Sequence, residues 1–290
     1  MFESVLRRLP PHLPGRVRRE IKALYRQSNT IVFYLFVFIY LSTVLFRNLA
    51  FYRYRASPRL RDLGYDILPD WEHNEVLTAA EDVPMILCNG SMVVAALMAM
   101  WGNSKMLGVN MLIRVLAVLC IGHTLRFFTY MSTTLPGTQE NCLPGHLQNM
   151  HPPQPTTFGE VFTRIAANPG NNCGDLMFSG HILGILTPTL MVHRFGPGAI
   201  VETGLLSQGL LSAWLCVLYA CVIAQGFIIV TLRNHYTADI VVSGYVCPLL
   251  WNWCVVLVHE HHACARARTH THTHALTPVA WHARTGTMAS

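Results

Sequence analysis

Six apolar runs, separated by shorter polar stretches, set the pattern of this chain. They cover 30–46 ("TIVFYLFVFIYLSTVLF"), then roughly 84–101, 106–131, 176–193, 205–231 and 238–258. Each is close to the roughly 17 to 25 residues that a bilayer-spanning helix needs. The first run begins too late, and lacks the cleavage site, for a secretory signal peptide, so it reads as an uncleaved signal anchor. The pattern therefore predicts an all-α, polytopic membrane protein with six transmembrane helices. A basic N-terminal arm (1–29) precedes the six-span domain (30–260), and a low-complexity tail (261–290) follows it.

Composition agrees with this reading. The chain is 52% hydrophobic and only 12% charged, whereas a soluble domain carries about a quarter charged residues. The net charge of +6 comes with no basic patch interleaved with aromatics, so it gives no sign of nucleic-acid binding. Lys and Arg instead act as a topology signal. With the N-terminus in the cytosol, twelve fall on that side and seven on the other, while Arg114 and Arg126 lie inside the third run. This excess favours cytosolic termini at both ends. The tail holds His270, His272 and His274 in a Thr-His alternation. That reads as low complexity rather than as a metal site, because no partner ligand fixes a geometry.

Of nine cysteines, six fall inside apolar runs, where cysteine behaves as a small hydrophobe. Cys142 and Cys173 flank the longest polar loop, 136–172, and can pair if that loop faces an oxidising compartment. No cysteine spacing points to zinc.

Two stretches carry the candidate chemistry: "NNCGDLMFSGH" (171–181) and "RNHYTADI" (233–240). The fourth and sixth spans cross in the same direction, so His181 and His235 lie on one face of the membrane. At about 1.5 Å of rise per residue, His181 sits less than ~10 Å into its span, and both imidazoles can reach one pocket. His235 and Asp239 are four apart, so a carboxylate can hold one ring nitrogen and leave the other to attack. Arg233 offers a planar fork for phosphate oxygens. Ser179 and Gly180 stand where a helix N-terminus can cradle an anion. Taken singly, each has an ordinary structural explanation: a surface pair, a helix cap, an anchor at the headgroups. Taken together at a bilayer boundary, they are parts for phosphoryl transfer without a metal or cofactor.

"CGDLMFSGH" and "RNHYTADI" resemble the two signature motifs of the sphingomyelin synthase family of sphingolipid synthases, relatives of the lipid phosphate phosphatases. "RFFTYMSTTLPGTQENC" (126–142) and "RDLGYDILPD" (61–70) are similar to two further family segments, so the likeness covers roughly residues 30–260. The resemblance implies a six-helix phosphatase-like core. In it, His235 would be the nucleophile, Asp239 its orienting partner and His181 the acid and base, with Asp175, Tyr236 and Arg126 as supporting candidates. It also implies a site facing the lumen or exterior of Golgi, ER or plasma membrane, and membrane lipids as partners, with room for a homo-oligomer. The implied activity is transfer of a phospho-headgroup (phosphocholine, phosphoethanolamine or phosphoinositol) from a glycerophospholipid to ceramide through a phosphohistidine. Transfer to diacylglycerol, lipid phosphate hydrolysis and a non-catalytic lipid scaffold are the alternatives. Ile182 stands where the family usually has threonine, which leaves the headgroup open.

Overall fold

The computed structural model describes residues 14–101, 108–146, 153–164, 173–202, 204 and 206–254. The histidine-containing tail and two parts of the loop preceding Cys173, 147–152 and 165–172, fall outside the described residues. The chain divides into two units, Met1–Trp251 and Asn252–Ser290. Of the second, only 252–254 are described, as helix. The first unit is helical. In chain order its helices are α1 (Gly15–Arg26), α2 (Ser28–Phe36), a wider π-helical stretch (Val37–Leu45), α3 (Phe46–Arg53), α4 (Leu63–Ile67), α5 (Glu75–Ala80), α6 (Asp82–Trp101), α7 (Gly108–Ser132), α8 (Phe158–Thr163), α9 (Gly180–Gly196) and α10 (Gln208–Thr231). Residues 237–251 form a last helix, α11.

Among the described residues, three segments are long and apolar enough to cross a bilayer: Glu75–Met100, Gly108–Ser132 and Gln208–Thr231. The protein is an integral membrane protein. The first and fourth expected runs become shorter helices. The run at 30–46 is split by the π-helical stretch. The fourth begins at Gly180 rather than Leu176, because the carbonyls of Asp175, Met177 and Phe178 accept from Arg126 and Thr129 of α7 and Ser179 caps the helix.

α9 is the central helix and packs against α6, α7 and α10. It is buried nearly all round: Ile182, Leu183, Ile185, Leu186, Thr187, Met191 and Val192 are all enclosed. Pro188 lies within α9 without ending it. A proline has no N–H to offer the carbonyl four residues back. Here that carbonyl, of Gly184, accepts instead from the Asn89 side chain of α6 at 3.4 Å. Neighbouring helices commonly re-satisfy backbone in this way inside membranes. Asn89, which begins the "NGS" at 89–91, is thus an inward-facing structural residue.

The ends of α9 and α11 are fastened to each other. The Ser179 N–H donates to the Asp239 carbonyl at 3.2 Å. The Ser243 hydroxyl bonds both the Ser179 carbonyl (3.1 Å) and the Asp239 carbonyl (2.7 Å). These bonds hold the two motif-bearing helix starts in register.

Candidate active site

α10 ends in a turn that delivers His235. Leu232 closes the helix, Arg233 takes a left-handed conformation at φ 56°, and Asn234 N–H reaches back to Ile229 O (2.9 Å) while Arg233 N–H reaches Val230 O (3.0 Å). That is a Schellman turn with arginine where glycine is usual, a conformation costing about 1 kcal/mol or more. The Arg233 side chain helps hold it. Its guanidinium lies 4.2 Å over the Tyr65 ring, with Nε 3.3 Å from Asp70. Sequence reasoning placed Arg233 among the phosphate-binding groups. Instead, its head is engaged by the segment after the first run and does not line the cavity.

The same segment clasps the whole loop. Asp62 accepts from the Thr237 N–H (2.9 Å) and hydroxyl (2.5 Å), and from Gly64 N–H (2.9 Å), so one carboxylate starts both α4 and α11. Tyr65 OH donates to His235 O at 3.0 Å, and Leu60 N–H donates to Tyr236 OH at 3.0 Å. A side chain at Gly64 would strike Thr237 Oγ1. "RDLGYDILPD" is therefore a strap across the histidine loop. Tyr236 belongs to that strap rather than to the cavity.

Asp239, fully buried on the first turn of α11, accepts from His235 Nδ1 at 3.2 Å and from Tyr236 N–H at 3.2 Å. Nδ1 then carries the proton and the lone pair resides on Nε2. His235 lies in the turn between helices, outside the spanning segments. Burial, helped by the positive Arg126, pushes its imidazole down to about 3, so the ring is neutral at physiological pH. The His181 ring stands edge-on to it, centroids 5.6 Å apart. The two histidines, 54 residues apart in the chain, share one cavity of about 520 Å³.

Its cations come from elsewhere than Arg233. Arg126 of α7 bonds the carbonyls of Phe178 and Asp175 and pairs with the Asp175 carboxylate at 3.0 Å. Arg47 of α3 approaches the same carboxylate at 3.6 Å. Asp175 is thus a buried pivot between two guanidiniums at the cavity wall. Gly180 makes this possible, because a Cβ there would sit 2.9 Å from Arg126 Nη1. Ser179, by contrast, is wholly buried, and its hydroxyl caps α9 through Ile182 N–H. It takes the structural role of cap, while Gly180 lines the cavity.

Four further lining residues went unassigned in the sequence. Glu81 Oε1 stands 3.8 Å from His181 Nε2 and accepts from Asn234 Nδ2 at 3.0 Å, and Asn234 in turn accepts from Gln139 at 2.7 Å. His123 also lines the cavity, edge-on to Phe38 at 5.2 Å. Glu81 had a legible signal, an acidic pair with Asp82 at the edge of an apolar run. Asn234 and Gln139 had none. Cys142 and Cys173 form a disulfide, Cα atoms 5.5 Å apart, packed against Phe51 and Tyr54 at the rim.

Comparison with known proteins fits this arrangement. The family model "PAP2 superfamily C-terminal" matches residues 172–261, the stretch holding both histidines. A phosphatidylinositol:ceramide inositolphosphotransferase of Oryza sativa subsp. indica is 27% identical over 199 residues, 69% of this chain and 57% of its own length. Phosphatidylinositol:ceramide inositolphosphotransferase 2 of Arabidopsis thaliana is 29% identical over 209 residues, 69% and 60% respectively. The Leishmania major protein of the same activity name is 29% identical over 141 residues, 47% of this chain and 36% of the relative. Over about two thirds of its length the chain is thus similar to the rice and Arabidopsis phosphatidylinositol:ceramide inositolphosphotransferases. It spans a little over half the length of the rice relative. The region matched by the family model is α9 to α11, while the strap, Glu81 and the two cavity arginines come from chain before it.

Proposed function

We propose that this protein transfers a phospho-headgroup, phosphoinositol, from a glycerophospholipid to ceramide, releasing diacylglycerol. The observation that carries the reading is a neutral His235, held through Nδ1 by Asp239 and facing His181 across a cavity walled by Arg126 and Arg47. His235 Nε2 attacks the donor phosphorus as the bond from phosphorus to the diacylglycerol oxygen breaks, and His181 gives that oxygen a proton. Glu81 is placed to support the cationic form of His181 beforehand. The resulting phosphohistidine carries the headgroup. The primary hydroxyl of ceramide then loses its proton to His181 and attacks phosphorus, freeing His235. Arg126 and Arg47 counter the charge on the phosphoryl oxygens throughout. The relatives' names supply the headgroup. The two histidines supply the reaction class.

In this reading the chain crosses the bilayer six times. The 28–53 stretch, α9 and α11 join the three long helices, and the termini are cytosolic. The 142–173 disulfide supports a site on the oxidising face, lumenal or exterior.

The test is headgroup transfer from labelled phosphatidylinositol to ceramide and, in parallel, to diacylglycerol, with release of soluble phosphate esters followed alongside. His235→Ala should lose transfer by at least about 10³-fold while inserting normally. Appreciable transfer by that variant would remove His235 as nucleophile. Preference for diacylglycerol, or release to water, would move the protein to the corresponding alternative activity.

A further inference from the structure

Away from the cavity, two arginines converge on one ring. Arg114 of α7 and Arg194 at the end of α9 hold their guanidinium carbons 5.3 and 5.8 Å from the centroid of the Phe195 ring. Phe195 is itself buried, with Trp251 of α11 beside it at 6.1 Å. Arg114 lies twelve residues before Arg126 on α7, and Arg194 thirteen after His181 on α9. At about 1.5 Å per residue, both therefore sit roughly 18–20 Å from the cavity, at the opposite end of the bundle.

Among the described residues neither arginine has an acidic partner. This contrasts with Arg47 and Arg126, which share Asp175. Arg114 is half-buried about 9 Å inside a bilayer-length helix. A cation at such depth is expensive without a counter-charge. The ring face returns on the order of 1–2 kcal/mol per cation, and the two positive charges oppose each other. Among the described residues, nearby chain forms no ion pair with them. α1 packs on α6 and α7, but its one acid, Glu20, is fully buried, where it accepts from Gly108 N–H (2.7 Å) and Val109 N–H (3.3 Å) at the start of α7. Glu20 thus caps a helix, while Arg19, Lys22 and Arg26 of α1 stay exposed.

We propose that Arg114 and Arg194 form a binding site for the headgroup phosphate of an anionic phospholipid in the leaflet opposite the cavity. Two guanidinium forks on one phosphodiester supply the missing counter-charge and satisfy the geometry arginine favours. The exposed cations of α1 attract further anionic headgroups to the same end. This site does not depend on the transferase reading, since it lies apart from the histidines.

Native mass spectrometry of protein released from phosphatidylcholine nanodiscs doped with phosphatidylserine tests it. The wild type should retain phosphatidylserine in preference to phosphatidylcholine. The double variant Arg114→Gln, Arg194→Gln should weaken that preference about tenfold, while His235→Ala keeps it. If the double variant fails to fold, Arg194→Gln alone, at an exposed helix end, should still weaken it measurably. Undiminished retention by a folded variant overturns the proposal. So does loss in His235→Ala alone, which would place the lipid in the cavity, or displacement by inorganic phosphate, which would make this a free-anion site.

Discussion

Asp239 illustrates how much one side chain settles. It is fully enclosed and gives one oxygen both to His235 Nδ1 and to the Tyr236 N–H. Asn in its place keeps the shape but can present an N–H to Nδ1, turning the imidazole to the other tautomer. Asp239→Asn should therefore lower kcat by about 10²–10⁴-fold with KM little changed, read by headgroup transfer. Equal losses in kcat and KM would point to a structural role. His235 makes a separate prediction with a definite sign. Its value in the folded protein is depressed to about 3, so the ring stays neutral as pH falls through the ordinary histidine range near 6.5. The ¹⁵N shifts of a selectively labelled His235 should hold their neutral pattern from about pH 7 to pH 5. Titration near 6.5 would contradict the buried geometry.

At the scale of elements, the loops make the site and the helices aim it. The disulfide joins Cys142 and Cys173, 31 residues apart. Closing a loop of that length stabilises a fold by roughly 3–4 kcal/mol in the chain-entropy account. Cys142→Ser with Cys173→Ser should lower the thermal midpoint by roughly 5–10 °C and slow transfer, because Cys173 adjoins the Asp175 pivot. An unchanged midpoint would make the bridge incidental. The sequence made much of this legible. The parity of apolar runs put His181 and His235 on one face, and the i, i+4 spacing put Asp239 beside His235. What it hid were contacts made across long sequence separations. Arg233 looked like a phosphate fork because its neighbour is His235. Only folding brings Asp70 and Tyr65 to it. Ser179 looked like an anion donor, yet a serine before a helix more often caps it, as here. Arg47 entered only as a topology charge, since nothing local ties it to Asp175.

For the molecule as a whole, the remaining question is orientation. A glycosylation acceptor engineered into the 136–172 loop should be modified in cells, and one in the tail should not. The opposite result would put the histidines in the cytosol. The family-model match covers the helices that carry both histidines and not the N-terminal part, so the strap and Glu81 are where this chain's own behaviour is best tested.

The Asp62 clasp has a further consequence for how the protein is made. Asp62 and Thr237 are 175 residues apart, and chains emerge N-terminus first. Asp62 therefore leaves the ribosome long before Thr237, and α4 and α11 share a start that stays incomplete until α11 arrives. Arg126, Asp175 and His181 can be in place by then, but nothing positions His235. A nascent chain halted after α10 holds only part of the cavity lining and lacks His235. The cavity is completed in one late closure, when the last helix docks and a single carboxylate latches segments 175 residues apart.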